Sequence, residues 1–259
     1  MRGVKIDRTG EENVNNFGSK MIISKYRDYK DIDVYFPEYD WTFKHVNYGN
    51  FKKGEIKCPY ERRFYGVGYL AEGKYKAKEN GKMTKCYKVW NSMLQRCYDD
   101  DFKRKHPTYN ACEVCESWHN FQNFAKWYND NYYEMSNEFM ALDKDILFKG
   151  NKIYSPKTCV FVPQRINSLF TKRDNDRGND PIGMTLTPSG NYQVQCNNVN
   201  GKRIYLGTYS NKEEAFRVYK RYKEKVIKEV IDLYECVIPE PHYSKLKKAM
   251  CNYRVEIDD

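Results

Sequence analysis

The sequence predicts an α+β chain of several small units in series: a β-barrel-like module, a central strand–strand–helix unit with flanking helices, and a three-stranded antiparallel sheet packed on one helix. Three observations predict it. Apolar residues alternate with polar ones before residue 75, they recur at helical spacing after residue 86, and both periods follow one another near residues 182–234. At 259 residues the chain has room for two or three small domains rather than one, and 40% hydrophobic residues suffice for their cores.

The first unit spans residues 1–75. "DIDVYF" places Ile32, Val34 and Phe36 on one face, the period of a half-buried strand, with "MIISKY" before it and "FKKGEIKCPYERRFYGVGYL" after it. Gly54, Gly66 and Gly68 mark turns or bulges, and "AEGKYKAKENGK" reads as a polar linker. In "FKKGEIKCP", Phe51 belongs to the core while Lys52, Lys53 and Lys57 sit at a turn, where they are either phosphate contacts or plain solubility charge.

The second unit spans 86–172. In "CYKVWNSMLQRCY", Val89, Trp90, Met93 and Cys97 form a helical stripe, and "DDDFKRKHP" reads as a charged loop closed by Pro107. Trp118, Phe121, Phe124 and Tyr128 make a second stripe, expected to be core rather than a base-stacking surface. "TKRDNDRGNDP" is then a polar boundary.

The third unit, 178–235, has three alternating strands joined by the turn signals "PSGN" and "NVNGK". Ser210 and Glu213 suit a capping box, and Ala215, Val218, Tyr219, Tyr222, Val226 and Val230 share one helical face. The remainder, 236–259, reads as a tail with a short helix and an acidic end. On the strands, Thr185, Thr187, Gln195, Asn197, Arg203 and Tyr205 fall opposite Met184, Leu186, Val194, Cys196 and Ile204. Paired amide side chains suit adenine edges, and an arginine suits guanine or phosphate, so this polar set fits a groove-facing sheet; the alternative is a merely solvated face.

Charge points the same way. Forty-five basic against 35 acidic residues leave +10, and 24 tyrosines offer both stacking faces and hydroxyls. No apolar run approaches the roughly 20 residues of a membrane span, and the polar N-terminus predicts no secretory signal. Nine cysteines, an odd and irregular set, predict a reducing cytoplasm. Cys112 and Cys115 form a CxxC that Cys97 and Cys159 would complete as a zinc site; buried free thiols are the alternative.

Two segments resemble known families. "GMTLTPSGNYQVQCNNVNGKRIYLGTYSNKEEAFRVY" resembles the APETALA-type (ethylene-responsive-factor) DNA-binding domain, whose sheet enters the major groove of double-stranded DNA; Thr, Gln and Asn stand where the plant domains carry several arginines. Trp-x-x-Met-x-x-Arg-Cys from Trp90, Val-Cys-x-x-Trp from Val114, Leu142-Asp143 and Tyr-Ser-Pro-x-x-Cys from Tyr154 resemble a phage family related to HNH (His-Me finger) endonucleases. That resemblance implies a divalent ion such as Mg²⁺, a histidine base and a second ligand on the following helix. It puts Asp143 and Asn167 at the ligand positions, with Asp145 a further carboxylate, Lys144 where the base histidine belongs and Thr158 where an asparagine orients it. Lysine is a poor base near pH 7 without strong desolvation. The four histidines, His45, His106, His119 and His242, all lie outside the motif. The expectation is therefore a phage-type, cytoplasmic protein that binds DNA with a degenerate HNH-like centre. The alternatives are an active metal-dependent homing-type endonuclease or nickase, and a phage effector directed at a host protein complex.

Overall fold

A computed structural model of the chain describes residues 6–171 and 181–257. It is a mixed α+β structure of small sheets, divided into two compact units, Met1–Tyr128 and Asn129–Asp259. The connector expected over 171–181 lies, apart from its two ends, outside the described residues. The division at Tyr128 falls inside the stretch 86–172 that the sequence motifs group together.

In the first unit, β1 (Glu12–Val14), β2 (Lys20–Asp28), β3 (Asp31–Phe36) and β4 (Trp41–Val46) form an antiparallel meander in chain order. Ile32, Val34 and Phe36 are fully buried as their alternation predicts, alongside Met21 and Ile23 from β2. Among the described residues the barrel-like closure does not form: β1 and β4 each pair on one side only. A three-residue β1 makes too few ladder bonds to seal a ring. The apolar face is covered instead by α1 (Tyr48–Lys52), which brings Tyr48 and Phe51 into the same core and is capped by Asn47 accepting from the Gly49 N–H at 2.7 Å.

The polar stretch before residue 85 is a hairpin rather than a linker. β5 (Lys78–Glu79) and β6 (Lys82–Met83) flank Asn80 and Gly81, both at positive φ, 46° and 77°, as a two-residue mirror-image turn requires. Gln122 pins the preceding segment, accepting from the Tyr75 N–H and donating to the Tyr75 carbonyl. Next, α2 (Lys85–Tyr98), capped by Thr84, buries Trp90, Met93, Leu94 and Cys97. Leu94 thus replaces Val89 in the expected stripe. The expected charged loop is a helix, α3 (Asp100–Lys105). Asp99 caps it, Asp100 and Asp101 lie at its positive end and Lys103, Arg104 and Lys105 at its negative end, before Pro107 forbids a further turn. The short extended piece β7 (Glu113–Val114) leads to α4 (Phe121–Asn131), whose Phe121, Phe124 and Tyr128 are core, as is Trp118 before it. The Trp90 indole donates to the Trp118 carbonyl at 2.7 Å, so this aromatic core also satisfies its buried N–H.

In the second unit, β8 (Met140–Asp143) and β10 (Val160–Pro163) pair antiparallel, with the two-residue β9 (Ile153–Tyr154) in the loop between them. Helix α5 (Gln164–Phe170) follows directly and buries Ile166. β11 (Met184–Leu186), β12 (Tyr192–Asn197) and β13 (Arg203–Tyr209) make the expected three-stranded antiparallel sheet. Helix α6 (Lys212–Asp232) packs across it. Its cap is Asn211, accepting from the Glu214 N–H at 2.8 Å, one residue beyond the expected Ser210 box. Ala215, Tyr219, Val226, Ile227, Val230 and Ile231 are the buried face. Gly183, at φ 69°, lies under the Tyr219 ring where any Cβ would collide with it. The expected tail holds α7 (His242–Asn252), which packs on α6 through Tyr243, Leu246 and Met250. One apolar core runs through Val160, Val162 and Ile166, the sheet's Met184 and Val194, and α6 and α7. The segments 129–171, 181–235 and 236–257 therefore fold around shared apolar volume.

Candidate nucleic-acid interface and carboxylate loop

Residues directly opposite in an antiparallel ladder project to the same side of the sheet. The register pairs Thr185 with Gln193, Gln193 with Thr208, Gln195 with Tyr205 and Asn197 with Arg203, while Met184 opposes Val194 and Cys196 opposes Ile204. Met184, Val194 and Cys196 face α6 and are buried. The opposite face is open: Thr185, Asn197, Arg203 and Tyr205 are exposed and Gln195 half-buried. Tyr205, the largest of them, is 58% exposed, with its hydroxyl 2.9 Å from Thr208 Oγ1. A register shift between Val194 and Gln195 adds local twist to the sheet. The whole stretch 184–209 contains no Asp or Glu, and Lys202 and Arg203 give it a positive charge.

Three details differ from the pattern read off the sequence. Thr187 lies past the end of β11, and its hydroxyl closes the turn, donating to the Asn191 carbonyl at 2.9 Å and accepting from the Asn191 N–H at 3.1 Å. It serves the loop rather than the polar face. Gln193 and Thr208 join that face, a placement the even spacing from Gln195 and the strand's end already signalled. Leu186 is 52% exposed, because it sits at the strand's end.

The carboxylate loop begins at the end of β8. Leu142, Lys144 and Ile146 alternate as buried residues, so Lys144 points inward and Asp143 and Asp145 lie half-buried beside it. Asp143 Oδ1 accepts the N–H groups of Asp145 at 2.8 Å and Ile146 at 2.7 Å. Burial, and then the charge of Asp145, push the Asp143 carboxyl above the ordinary aspartate range. The Lys144 ammonium, with its residue only 7% exposed, lies 2.9 Å from Asp145 Oδ2 and 5.8 Å from the Tyr154 ring centroid. Enclosed in this way, the ammonium serves as the counter-ion of Asp145 within the loop.

Asn151 holds the loop together: its amide donates to the carbonyls of Lys144 at 2.7 Å and Ile153 at 2.8 Å. Thr158 donates to the Ile153 carbonyl at 2.7 Å and so also braces the loop. Asn167 is half-buried on α5, and its side chain makes no hydrogen bond among the described residues. As a divalent-ion site the group is ill-suited. One Asp143 oxygen is committed to two backbone donors, and an ammonium already neutralises the neighbouring carboxylate.

Each imidazole has an environment of its own. His242 lies against Tyr133, with ring centroids 5.2 Å apart, and His106 against Phe102 at 4.4 Å. His119 Nε2 lies 3.3 Å from the Tyr98 hydroxyl, and burial, then Arg62, lower its pKa. His45 belongs to a cluster in the first unit that the sequence reading missed. Its Nδ1 is 3.0 Å from Asp31 Oδ1, and its N–H donates to Asp33 Oδ1 at 3.1 Å. Among the described residues this is the one place where three potential metal ligands of the His, Cys, Asp and Glu types converge. Arg27 already occupies it, with NH1 and NH2 each 2.8 Å from an Asp33 oxygen and NH1 2.9 Å from Asp31. That bidentate contact, then the His45 N–H, hold Asp33 at a pKa of about 2 despite its burial. A guanidinium seated this way fills the place a cation would take.

No disulfide joins these cysteines: Cys97, Cys112 and Cys159 are buried and Cys115 is half-buried. Cys112 Sγ lies 3.7 Å from the Thr108 carbonyl and Cys115 Sγ 3.3 Å from Ser117 Oγ. In the β module, Lys52 is 3.4 Å from Glu11, while Lys53 is exposed and has no ion pair among the described residues. Lys57 lies over the Phe17 ring at 5.3 Å. No helix among the described residues is long and apolar enough to cross a membrane. No protein-family model matches the chain, and neither does any curated protein or solved structure.

Proposed function

We propose that this protein binds duplex DNA through the open face of β11–β13, with Gln195 and Asn197 reading base edges and Arg203 and Tyr205 reaching bases or phosphates, and that it does so without cleaving the strand. The observation that carries this proposal is a sheet face that is polar and free of carboxylates, exposed at Thr185, Asn197, Arg203, Tyr205 and Thr208 and half-buried at Gln193 and Gln195. The strand–loop–strand–helix order from β8 to α5 acts here as scaffold. Its inward lysine forms an ion pair with Asp145, and no histidine bonds to Asp143 or Asp145 among the described residues.

The test is fluorescence anisotropy with labelled duplexes of mixed sequence across a salt series. Arg203→Ala/Tyr205→Ala, two exposed positions, leaves the melting temperature unchanged and weakens binding. Losing the Arg203 phosphate contact alone lowers the salt slope by about 0.9 and affinity by about eightfold at ~0.1 M salt. Unchanged binding by this variant overturns the assignment to the sheet.

A second function, metal-dependent cleavage, draws support from one feature, the raised pKa of Asp143 at the end of a strand in a strand–strand–helix arrangement. Supercoiled plasmid incubated with Mg²⁺ or Mn²⁺ distinguishes the two. Nicking that disappears in Asp143→Asn establishes cleavage, while intact plasmid leaves binding without turnover.

A further inference from the structure

We propose that a cleft in the second unit seats one unpaired nucleotide of a nucleic-acid strand, its phosphate on Lys245, Lys248 and Arg254 and its base against Phe148 and Tyr253. The cleft, about 500 Å³, lies between the loop that follows Asp143 and the outer side of α7 with the segment after it. That volume is in the range of sites that hold small organic ligands, roughly 300–1,000 Å³, and far below what a duplex would need.

Its charge is one-sided. Among the described residues, Lys149, Lys245, Lys248 and Arg254 contribute cations against the single carboxylate of Glu256, which Lys149 already meets at 3.3 Å. Lys245 and Lys248 are exposed and have no ion pair among the described residues. Among the described residues the Arg254 guanidinium meets only backbone carbonyls, those of Tyr253 at 2.9 Å and Cys251 at 3.3 Å. An anion is therefore the complementary ligand.

The remaining wall is apolar and aromatic. Phe148, 56% exposed in the loop after Asp143, lines the cleft with its ring accessible to a ligand. Tyr253 is fixed edge-on by Phe170, with centroids 4.8 Å apart at 65°. The Lys149 ammonium lies 4.9 Å from the Tyr253 ring centroid, and a free inorganic anion would leave the Phe148 ring unused. A nucleotide uses both walls, because every base has a face for stacking and every linkage a phosphate. The inference rests on the nucleic-acid function proposed above and adds a second, single-strand contact to the duplex contact of the sheet.

The test uses the full chain and a fluorescein-labelled single strand of about 12 nucleotides, within the usual site size of such binders. At about 0.7 salt-slope units per contact, Lys245→Ala/Lys248→Ala is expected to weaken single-strand binding about 25-fold at ~0.1 M salt and to lower the slope by about 1.4. Phe148→Ala, which leaves the cations in place, weakens it about tenfold. Both variants change only exposed side chains, and their melting curves should match the wild type. Failure of the wild-type chain to bind the strand, or equal binding by the variants, overturns the proposal. Deoxymononucleotide that competes at concentrations equal to the strand's also overturns it, because the cleft then takes a free nucleotide. The outcomes separate from those of the sheet: Arg203→Ala/Tyr205→Ala that still loses duplex binding, beside cleft variants that lose nothing, removes the cleft and leaves the sheet.

Discussion

Replacing Arg27 by methionine removes a guanidinium from a buried carboxylate and decides whether the Asp31–Asp33–His45 cluster is a structural clamp or a cation site. Arg27 donates to both oxygens of Asp33 at 2.8 Å, and Asp33 is only 7% exposed. Its folded pKa is about 2, against 3.8 for the ordinary group. The lowered value means that ionised Asp33 stabilises the fold above about pH 4, and that this stabilisation is lost as pH falls through about 2. At 1.36 kcal/mol per unit, the shift corresponds to about 2 kcal/mol at neutral pH. Arg27→Met is therefore expected to lower the melting temperature of the first unit by about 8 °C at pH 7, read by circular dichroism. The difference from wild type should narrow as pH falls from about 4 through about 2 and close below that, where Asp33 is protonated in both chains. Millimolar Mn²⁺ or Zn²⁺ should leave the wild-type melting temperature unchanged. A variant as stable as wild type at pH 7 refutes the clamp, and metal-induced stabilisation of the wild type shows that the guanidinium yields to a cation.

Three further outcomes follow from the second unit. Asp143→Asn keeps an oxygen for the Asp145 and Ile146 N–H groups but removes a charge whose raised pKa makes its ionised form destabilising. It should melt above wild type at pH 8, with the gap closing as pH falls towards 4; a gap independent of pH would show that burial of the charge is not the cause. Gly183→Ala places a Cβ into the Tyr219 ring from a left-handed backbone and should lower unfolding free energy by about 2–4 kcal/mol in urea titration. Asn211→Ala removes the cap of α6 and should lower it by about 1 kcal/mol, whereas Ser210→Ala should change it by less than ~0.5 kcal/mol.

How much of this was legible beforehand depends on the range of the interaction. Ile32, Val34 and Phe36 alternate and are buried, and Ala215, Tyr219, Val226 and Val230 share a helix face that packs on a sheet, because backbone geometry alone imposes those periods. The turns at Gly190 and Gly201 follow from the same local chemistry. Two local signals were equally present and were passed over. "ENGK" carries the Asn-Gly of a two-residue hairpin, and "DDDFKRK" carries the charge order of a short helix.

The site was legible in part. The sequence marked Thr185, Gln195, Asn197, Arg203 and Tyr205 as one face of a sheet, since side chains at even spacing on a strand must share a side. Tertiary structure decided which residues each strand opposes, so that Gln193 and Thr208 entered the face and Thr187 was diverted to a turn. It also decided the fate of charge. Lys144 was enclosed beside Asp145, Asp33 was gripped by Arg27, and Lys245, Lys248 and Arg254 were left lining a cleft with the loop about 100 residues before them in the chain. A one-dimensional pattern records which side of an element a residue occupies. Which distant charge it meets, and how much water remains around it, are set only when the elements close on a common core, and those two quantities determine what a charged side chain can bind.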